Sequence, residues 1–247
     1  MIELGEVQQA VFALVAALPA VDVPRRDALG LVLAEPVTAP EAVPPFPNTA
    51  MDGYAVRAAD TVGASAKDPV RLGVVGELPA GHAPTIGVGE GEAIRIMTGA
   101  PMPDGADAVV IVELTERDGA DGVRVLEAAD SGQHVRRSGG DLEAGQVVFE
   151  AGTVLGPAHV GVLATVDAQE VHVFPRARVG VLSTGDELVE SGPLAPGKIR
   201  DSNRPMLLAM LERAGAEPVD LGSAADDETS MTATLAAAVV HCDAVIT

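Results

Sequence analysis

The sequence predicts a multidomain protein that joins a β-rich section to a parallel α/β section. Three observations carry this. Residues 53–150 hold short apolar runs separated by Gly, Pro, Asp and Asn, a spacing that suits a small antiparallel barrel or sandwich. From residue 176 the pattern becomes strand, helix, strand, helix, strand, which is the first half of a doubly wound parallel domain. Between the N-terminal residues and the β-rich section, Pro36, Pro40, Pro44, Pro45 and Pro47 exclude a regular helix or a central strand and leave an extended connector.

The elements follow in order. Leu4, Val7, Val11, Leu14, Val15 and Leu18 share one helical face, so a helix is expected over 4–18, closed by Pro19 and Pro24. A second short helix is expected over 25–31. Strands are expected at 70–75, 93–97, 108–112, 122–126 and 146–149, with hairpins at the Gly-rich turns 87–91 and 119–122. A short helix over 157–166 and a strand over 171–174 come next. Then Arg178–Ser183 reads as a strand that opens a loop. Asp201 or Ser202 caps a helix in which Met206, Leu207, Met210, Leu211 and Ala214 share a face, and Gly215 stands where a helix ends. A strand at 218–221, a helix at 230–240 and a strand at 244–247 complete the alternation, about half of a doubly wound domain.

Composition narrows the function. The chain has 247 residues, 47% of them hydrophobic, enough for a real core. Aromatics are only 2%, so the core is built from Val, Leu, Ile and Ala, and rings on which nucleic-acid bases could stack are scarce. The net charge of −20 repels nucleic acid and anionic membranes. A small anion can still bind where Arg and backbone N–H groups cluster. The single Cys242 allows neither an internal disulfide nor a Cys-based zinc site. The N-terminus lacks the basic region of a secretory signal, and no apolar run reaches the ~18 residues of a membrane span. A cytoplasmic protein is expected.

Six segments can carry chemistry, and each also has a plain structural reading. Ser183-Thr184-Gly185-Asp186-Glu187 follows a Val-rich strand, where ligands bind in open α/β sheets. Its hydroxyls, Gly backbone and carboxylates can serve substrate or metal, or they can be a solvated turn. Lys198, Arg200, Ser202, Asn203 and Arg204 lead into a helix N-terminus, a natural anion site or an ordinary cap. Asp52 lies in Met-Asp-Gly-Tyr after the Pro-rich approach, on a fixed turn that can preorganise a carboxylate or be no more than a turn. Thr98 closes a strand before a Pro/Gly loop. Arg136 and Arg137 precede Gly139, Gly140 and Asp141, and can clamp an oxyanion. Asp226 and Asp227 follow the second α/β strand, as a Mg2+ ligand or a helix cap.

Together and in this order, Pro-Phe-Pro-Asn-Thr-Ala-Met-Asp-Gly-Tyr-Ala-Val, Ile-Met-Thr-Gly-Ala-Pro-Met-Pro-Asp-Gly-Ala-Asp, Arg-Arg-Ser-Gly-Gly-Asp, Val-Leu-Ser-Thr-Gly-Asp-Glu-Leu and Ile-Arg-Asp-Ser-Asn-Arg-Pro-Met-Leu resemble the molybdopterin molybdenumtransferases, the MoeA and gephyrin E-domain family. The resemblance covers essentially the whole chain. It implies an elongated N-terminal domain (1–24, 41–52 and 144–174), an inserted β domain (25–40 and 53–143) and a molybdopterin-binding α/β domain from 175 to 247. It also implies a C-terminal β-barrel that these residues do not include, and a chain that does not turn over alone. The implied reaction inserts molybdate into adenylylated molybdopterin, with Mg2+, and releases AMP. It implies a homodimer whose active site lies between the α/β domain of one subunit and the N-terminal parts of the other, and contact with the molybdopterin adenylyltransferase and recipient molybdoenzymes.

Matched position by position, Asp52, Asp141 and Glu187 are the implied catalytic residues. Asp186, Glu187 and Asp226 are the implied metal ligands. Thr98, Arg136, Arg137, Ser183, Thr184, Gly185, Ser202, Asn203 and Arg204 are the implied substrate contacts. One departure stands out: the family usually has Gly-Glu-Asp where this chain has Gly139-Gly140-Asp141. A non-catalytic molybdopterin-binding or scaffold protein of the same fold is the alternative.

Overall fold

The computed structural model describes residues 2–247, which form helix α1 (Leu4–Leu14), strands β1 (Val21–Pro24), β2 (Val32–Leu33), β3 (Val37–Thr38), β4 (Asn48–Thr49), β5 (Gly53–Val56), β6 (Val70–Leu78), β7 (Glu92–Ile96), β8 (Ala108–Ile111), β9 (Thr115–Arg117), β10 (Gly122–Val125), β11 (Val135–Arg136) and β12 (Val147–Phe149), then α2 (Pro157–Thr165), β13 (Glu170–Phe174), β14 (Arg178–Thr184), β15 (Leu188–Val189), β16 (Ile199–Arg200), α3 (Asn203–Arg213), β17 (Glu217–Ala224), α4 (Glu228–Ala238) and β18 (Ala244–Ile246). They fall into two compact units: residues 2–36, 150–164 and 168–247 in one, and 37–149 with 165–167 in the other. Among the described residues no helix is long and apolar enough to cross a membrane.

The second unit is built on a six-stranded sheet of order β8-β5-β7-β6-β10-β9. Its inner strand β5, between β8 and β7, is buried at all four positions. Tyr54 and Val56 enter one core with Leu72, Ala93, Val110 and Val123, while Ala55 enters another with Leu78, Ile94, Ile96 and Val109. Both faces of the sheet are therefore covered, which is why its strands read as continuous apolar runs. The expected hairpin at 119–122 joins β9 to β10. The expected hairpin at 87–91 is a crossover instead, because β6 and β7 pair in parallel. The sheet is thus mixed rather than purely antiparallel. The Pro-rich connector is extended, as expected, and contributes only the two-residue edge strands β3 and β4, paired with β12 and β11.

In the first unit β13 lies between β1 and β2 in a small antiparallel sheet. The expected helix over 25–31 is a single tight turn at Arg25–Asp27. Gly30, at φ 78°, breaks it, and Arg25 is drawn to the carbonyl oxygens of Leu163 and Ala168. Helix α1 ends at Leu14 rather than at 18, with every residue exposed; without packing, an amphipathic stretch gains little from extending.

The α/β alternation is as expected: β14, β17 and β18 are parallel, in the order β17-β14-β18. Strand order reverses at β14, the topological switch point where ligands bind in such sheets. Helix α3 turns Leu207 and Leu211 inward and leaves Met206 and Met210 exposed, a narrower apolar face than expected.

Candidate functional site

The carboxyl end of β14 opens into a cavity of about 480 Å3 at the switch point. It is lined by Ser183 and Thr184 from β14, by Arg200, Asp201, Ser202, Asn203 and Arg204 at the start of α3, and by Thr247 after β18. Helix α3 aims its N-terminal backbone N–H groups and positive dipole end toward this region. Ser202 and Asn203 are exposed there, and Thr184 and Gly185 are half-buried. Gly185 has φ 137°, and a Cβ on it would stand 2.5 Å from Oε2 of Glu187. Only glycine lets the Glu187 carboxylate fold back over the loop.

Beneath the loop lies a charge network that the sequence disclosed only in part. The Ser183 hydroxyl donates to Asp201 at 2.6 Å. Arg204, 7% exposed, donates Nε to Asp201 at 3.2 Å and Nη1 to Asp220 at 2.7 Å, and its Nη2 stands 3.3 Å from Glu190. The Asp201 carboxylate also accepts the Arg204 backbone N–H, so the expected cap comes from Asp201 and not from Ser202. The Ser183 hydroxyl bond, then the Arg204 contacts, hold Asp201 below the usual carboxylate range, against the opposing effect of burial. Burial lowers the Arg204 pKa, but the bonds to Asp220, Asp201 and Glu190 outweigh it and raise the net value. In this conformation Ser183 and Arg204 are engaged within the protein. Asp220 and Glu190 were missed; a lone Asp inside the run Val219-Asp220-Leu221 is the signal that could have found the first.

Asp186 and Asp226 come together at the tips of β14 and β17, where the Asp226 backbone N–H donates to Asp186 Oδ1 at 3.3 Å. Lys198 Nζ donates to the Asp186 carbonyl. Asp227, not Asp226, caps α4, accepting the Ser230 N–H at 2.9 Å. Among the described residues no three His, Cys, Asp or Glu side chains are grouped to hold a metal. The donors present are hard oxygens, and two exposed carboxylates suit Mg2+, which commonly binds one or two carboxylates plus substrate phosphates.

The other unit gathers the remaining motifs. The 43–52 segment runs between two loops: Thr49 donates its N–H to Ala100 and accepts from Gly99 on one side, while β4 pairs with β11 on the other. Farther back along that second side, Gly139 donates to Pro44 and Asp141 to Val43. Asp52, Thr98 and the 135–141 loop are thereby joined in one hydrogen-bonded framework. Asp52 Oδ1 accepts both the backbone N–H and the hydroxyl of Thr98, each at 2.7 Å. The Thr98 backbone bond, then its hydroxyl, with a smaller contribution from Arg95, lower the Asp52 pKa. Gly53 is required behind it, since a Cβ there would stand 2.1 Å from the Val110 carbonyl oxygen. Arg136, Arg137 and Asp141 are exposed.

The sequence pattern of the MoeA N-terminal region (domain I and II) matches residues 2–166, well over half of the chain. The chain belongs to the MoeA family. The pattern of a probable molybdopterin binding domain matches residues 180–247, the segment that builds the switch-point cavity. Molybdopterin molybdenumtransferase 2 of Mycobacterium tuberculosis is 44% identical over all of this chain and 61% of its own length. The Bacillus subtilis molybdopterin molybdenumtransferase is 40% identical over 90% of the chain and 52% of its own. A molybdopterin biosynthesis moeA protein of Pyrococcus horikoshii, solved by crystallography, superposes with a TM-score of 0.88 at 36% identity, over 98% of this chain and 64% of that one. The chain spans 52–61% of the length of these curated MoeA relatives.

Proposed function

We propose that this MoeA chain serves molybdenum cofactor biosynthesis by inserting molybdate into adenylylated molybdopterin, with Mg-dependent release of AMP. The observation that carries the reading is the switch-point cavity, which coincides with the segment matching a molybdopterin-binding domain. Ser202, Asn203 and the α3 N-terminus receive the pterin phosphate, and Thr184 and Gly185 line its approach. Asp186 and Asp226 would hold Mg2+ with the substrate phosphates and water completing its shell. Held there, Mg2+ would supply positive charge against the phosphates of the substrate. Asp52, kept ionised by Thr98, is the acceptor for a proton from the attacking oxygen. Arg136, Arg137 and Asp141 extend the substrate surface on the Asp52 side. The protein works in the cytoplasm as a homodimer in which the two carboxylate groups come from different subunits, and it receives its substrate from an adenylyltransferase and passes product to molybdoenzymes.

The test has two parts. Molybdopterin binding to this chain is measured by titration, and AMP release is measured on this chain and on the same chain extended with the C-terminal part of a curated relative. Binding that weakens in Ser202→Ala, with AMP release that requires Asp226, supports the reading. Binding without release in either form supports the scaffold alternative, and absence of binding overturns both.

A further inference from the structure

One face of the six-stranded sheet ends in a second pocket, of about 290 Å3, to which Tyr54, Glu77, Arg95 and Arg117 contribute. Strand alternation explains why the two arginines stand there. Arg95 lies two residues from Ala93, which packs in the core with Tyr54 and Val56, so both side chains leave the same face. Arg117 is paired across its hairpin with Val123, another residue of that core. Both arginines therefore occupy core-face positions, where the sheet's pattern asks for apolar residues. Arginines of the opposite face behave differently: Arg71 is ion-paired with Asp118, and Arg124 with Glu116. Arg95 and Arg117 have no ion pair of 4.0 Å or less among the described residues, in a chain with 36 acidic side chains.

Arg95 is also held in place. Its Nη1 donates to the Gly53 carbonyl at 3.2 Å, and its guanidinium lies 5.2 Å from the centre of the Tyr54 ring. The remaining N–H groups of its planar fork, with those of Arg117, match an oxyanion. The net negative field does not prevent this, since it is screened within about 8 Å at physiological salt. Glu77, opposite Arg95 in register, adds an acceptor at the same pocket. A bare dianion would leave that carboxylate unmatched, whereas a neighbouring hydroxyl would satisfy it.

We infer that this pocket binds a small phosphomonoester carrying a hydroxyl group, with the phosphate on Arg95 and Arg117 and the hydroxyl on Glu77. The volume is near the lower end for small-molecule sites, roughly 300 Å3. The inference does not rest on the molybdopterin reading: Arg117 and Glu77 take no part in that site, although Arg95 also contributes to lowering the Asp52 pKa.

Isothermal titration of the chain with glycerol 3-phosphate and with inorganic phosphate tests it. Saturable binding of glycerol 3-phosphate is expected, weakened about tenfold by Arg117→Gln and by Arg95→Gln, as each removes a charge-assisted contact. Arg71→Gln and Arg124→Gln, on the opposite face of the same sheet, should leave it within about twofold. Glu77→Ala should narrow the preference for glycerol 3-phosphate over inorganic phosphate. Arg117 is exposed, so its variant keeps the test valid even if Arg95→Gln folds poorly. No saturable binding at millimolar ligand, or binding unchanged in Arg117→Gln, overturns the site. Equal affinity for the two ligands overturns the assignment of a phosphomonoester.

Discussion

Asp52 and Asp201 are both aspartates held below their ordinary pKa, yet their surroundings give them opposite uses. Asp201 is inside: its side chain is 4% exposed, and its oxygens are taken by Ser183 and Arg204. Asp52 is exposed, and one residue, Thr98, holds a single oxygen of its carboxylate with two bonds. The second oxygen is left toward solvent. Equal charge and a shift in the same direction therefore say little about role. What separates them is how much of the acceptor capacity the protein itself consumes. The same contrast recurs one residue apart, where Asp227 caps α4 while Asp226 meets Asp186 with its backbone and keeps its carboxylate exposed.

This comparison can be broken by mutation. The largest stability effect is expected for Arg204→Met, which leaves Asp201 buried without its cation. Removing one partner of a buried pair costs about 3–5 kcal/mol, with the lower figure fitting here because Asp220 and Glu190 reach solvent. Denaturant unfolding measures it, and a loss below about 1 kcal/mol would mean that the network is dispensable.

Next comes Asp201→Asn, at about 1–3 kcal/mol. Here pH sharpens the test. The folded pKa of Asp201 is depressed, so its stabilisation is fully present above the unfolded value of about 3.9 and is lost as pH falls through the folded value. Unfolding midpoints from pH 7 to pH 2 should show a smaller acid loss in Asp201→Asn than in the unsubstituted chain. Parallel curves would contradict the assigned contacts. Smaller still, Asp227→Ala should cost about 1 kcal/mol as a lost helix cap, and Asp226→Ala distinctly less, by thermal unfolding of both variants. Equal losses would erase the distinction drawn between these neighbours.

Much of this was legible in the residues themselves. The α/β alternation, the extended connector and the cap at the start of α3 follow from periodicity and turn chemistry, which are local. The parallel pairing of β6 and β7 was not legible, because glycines at 87–91 announce a change of direction without saying which strands meet. The two-residue strands β15 and β16 lay hidden within one loop, too short for any periodicity. Topology marked the ends of β14 and β17 as candidate ligand positions. The bond between Ser183 and Asp201, 18 residues apart, and the Arg204 contacts to Glu190 and Asp220 depend on tertiary packing that spacing does not encode. Likewise, motifs around 48–52, 98–101 and 135–141 read as separate weak signals until the strand pairing of the connector joined them.

The most direct test of the central contrast is AMP release from adenylylated molybdopterin, with molybdate and Mg2+, by the extended chain carrying Asp52→Ala. The account predicts a loss of at least about a hundredfold, the scale of general-base catalysis, in a protein that remains folded, its unfolding midpoint lowered only modestly by loss of the two Thr98 bonds. Unchanged AMP release in a folded Asp52→Ala variant would contradict it.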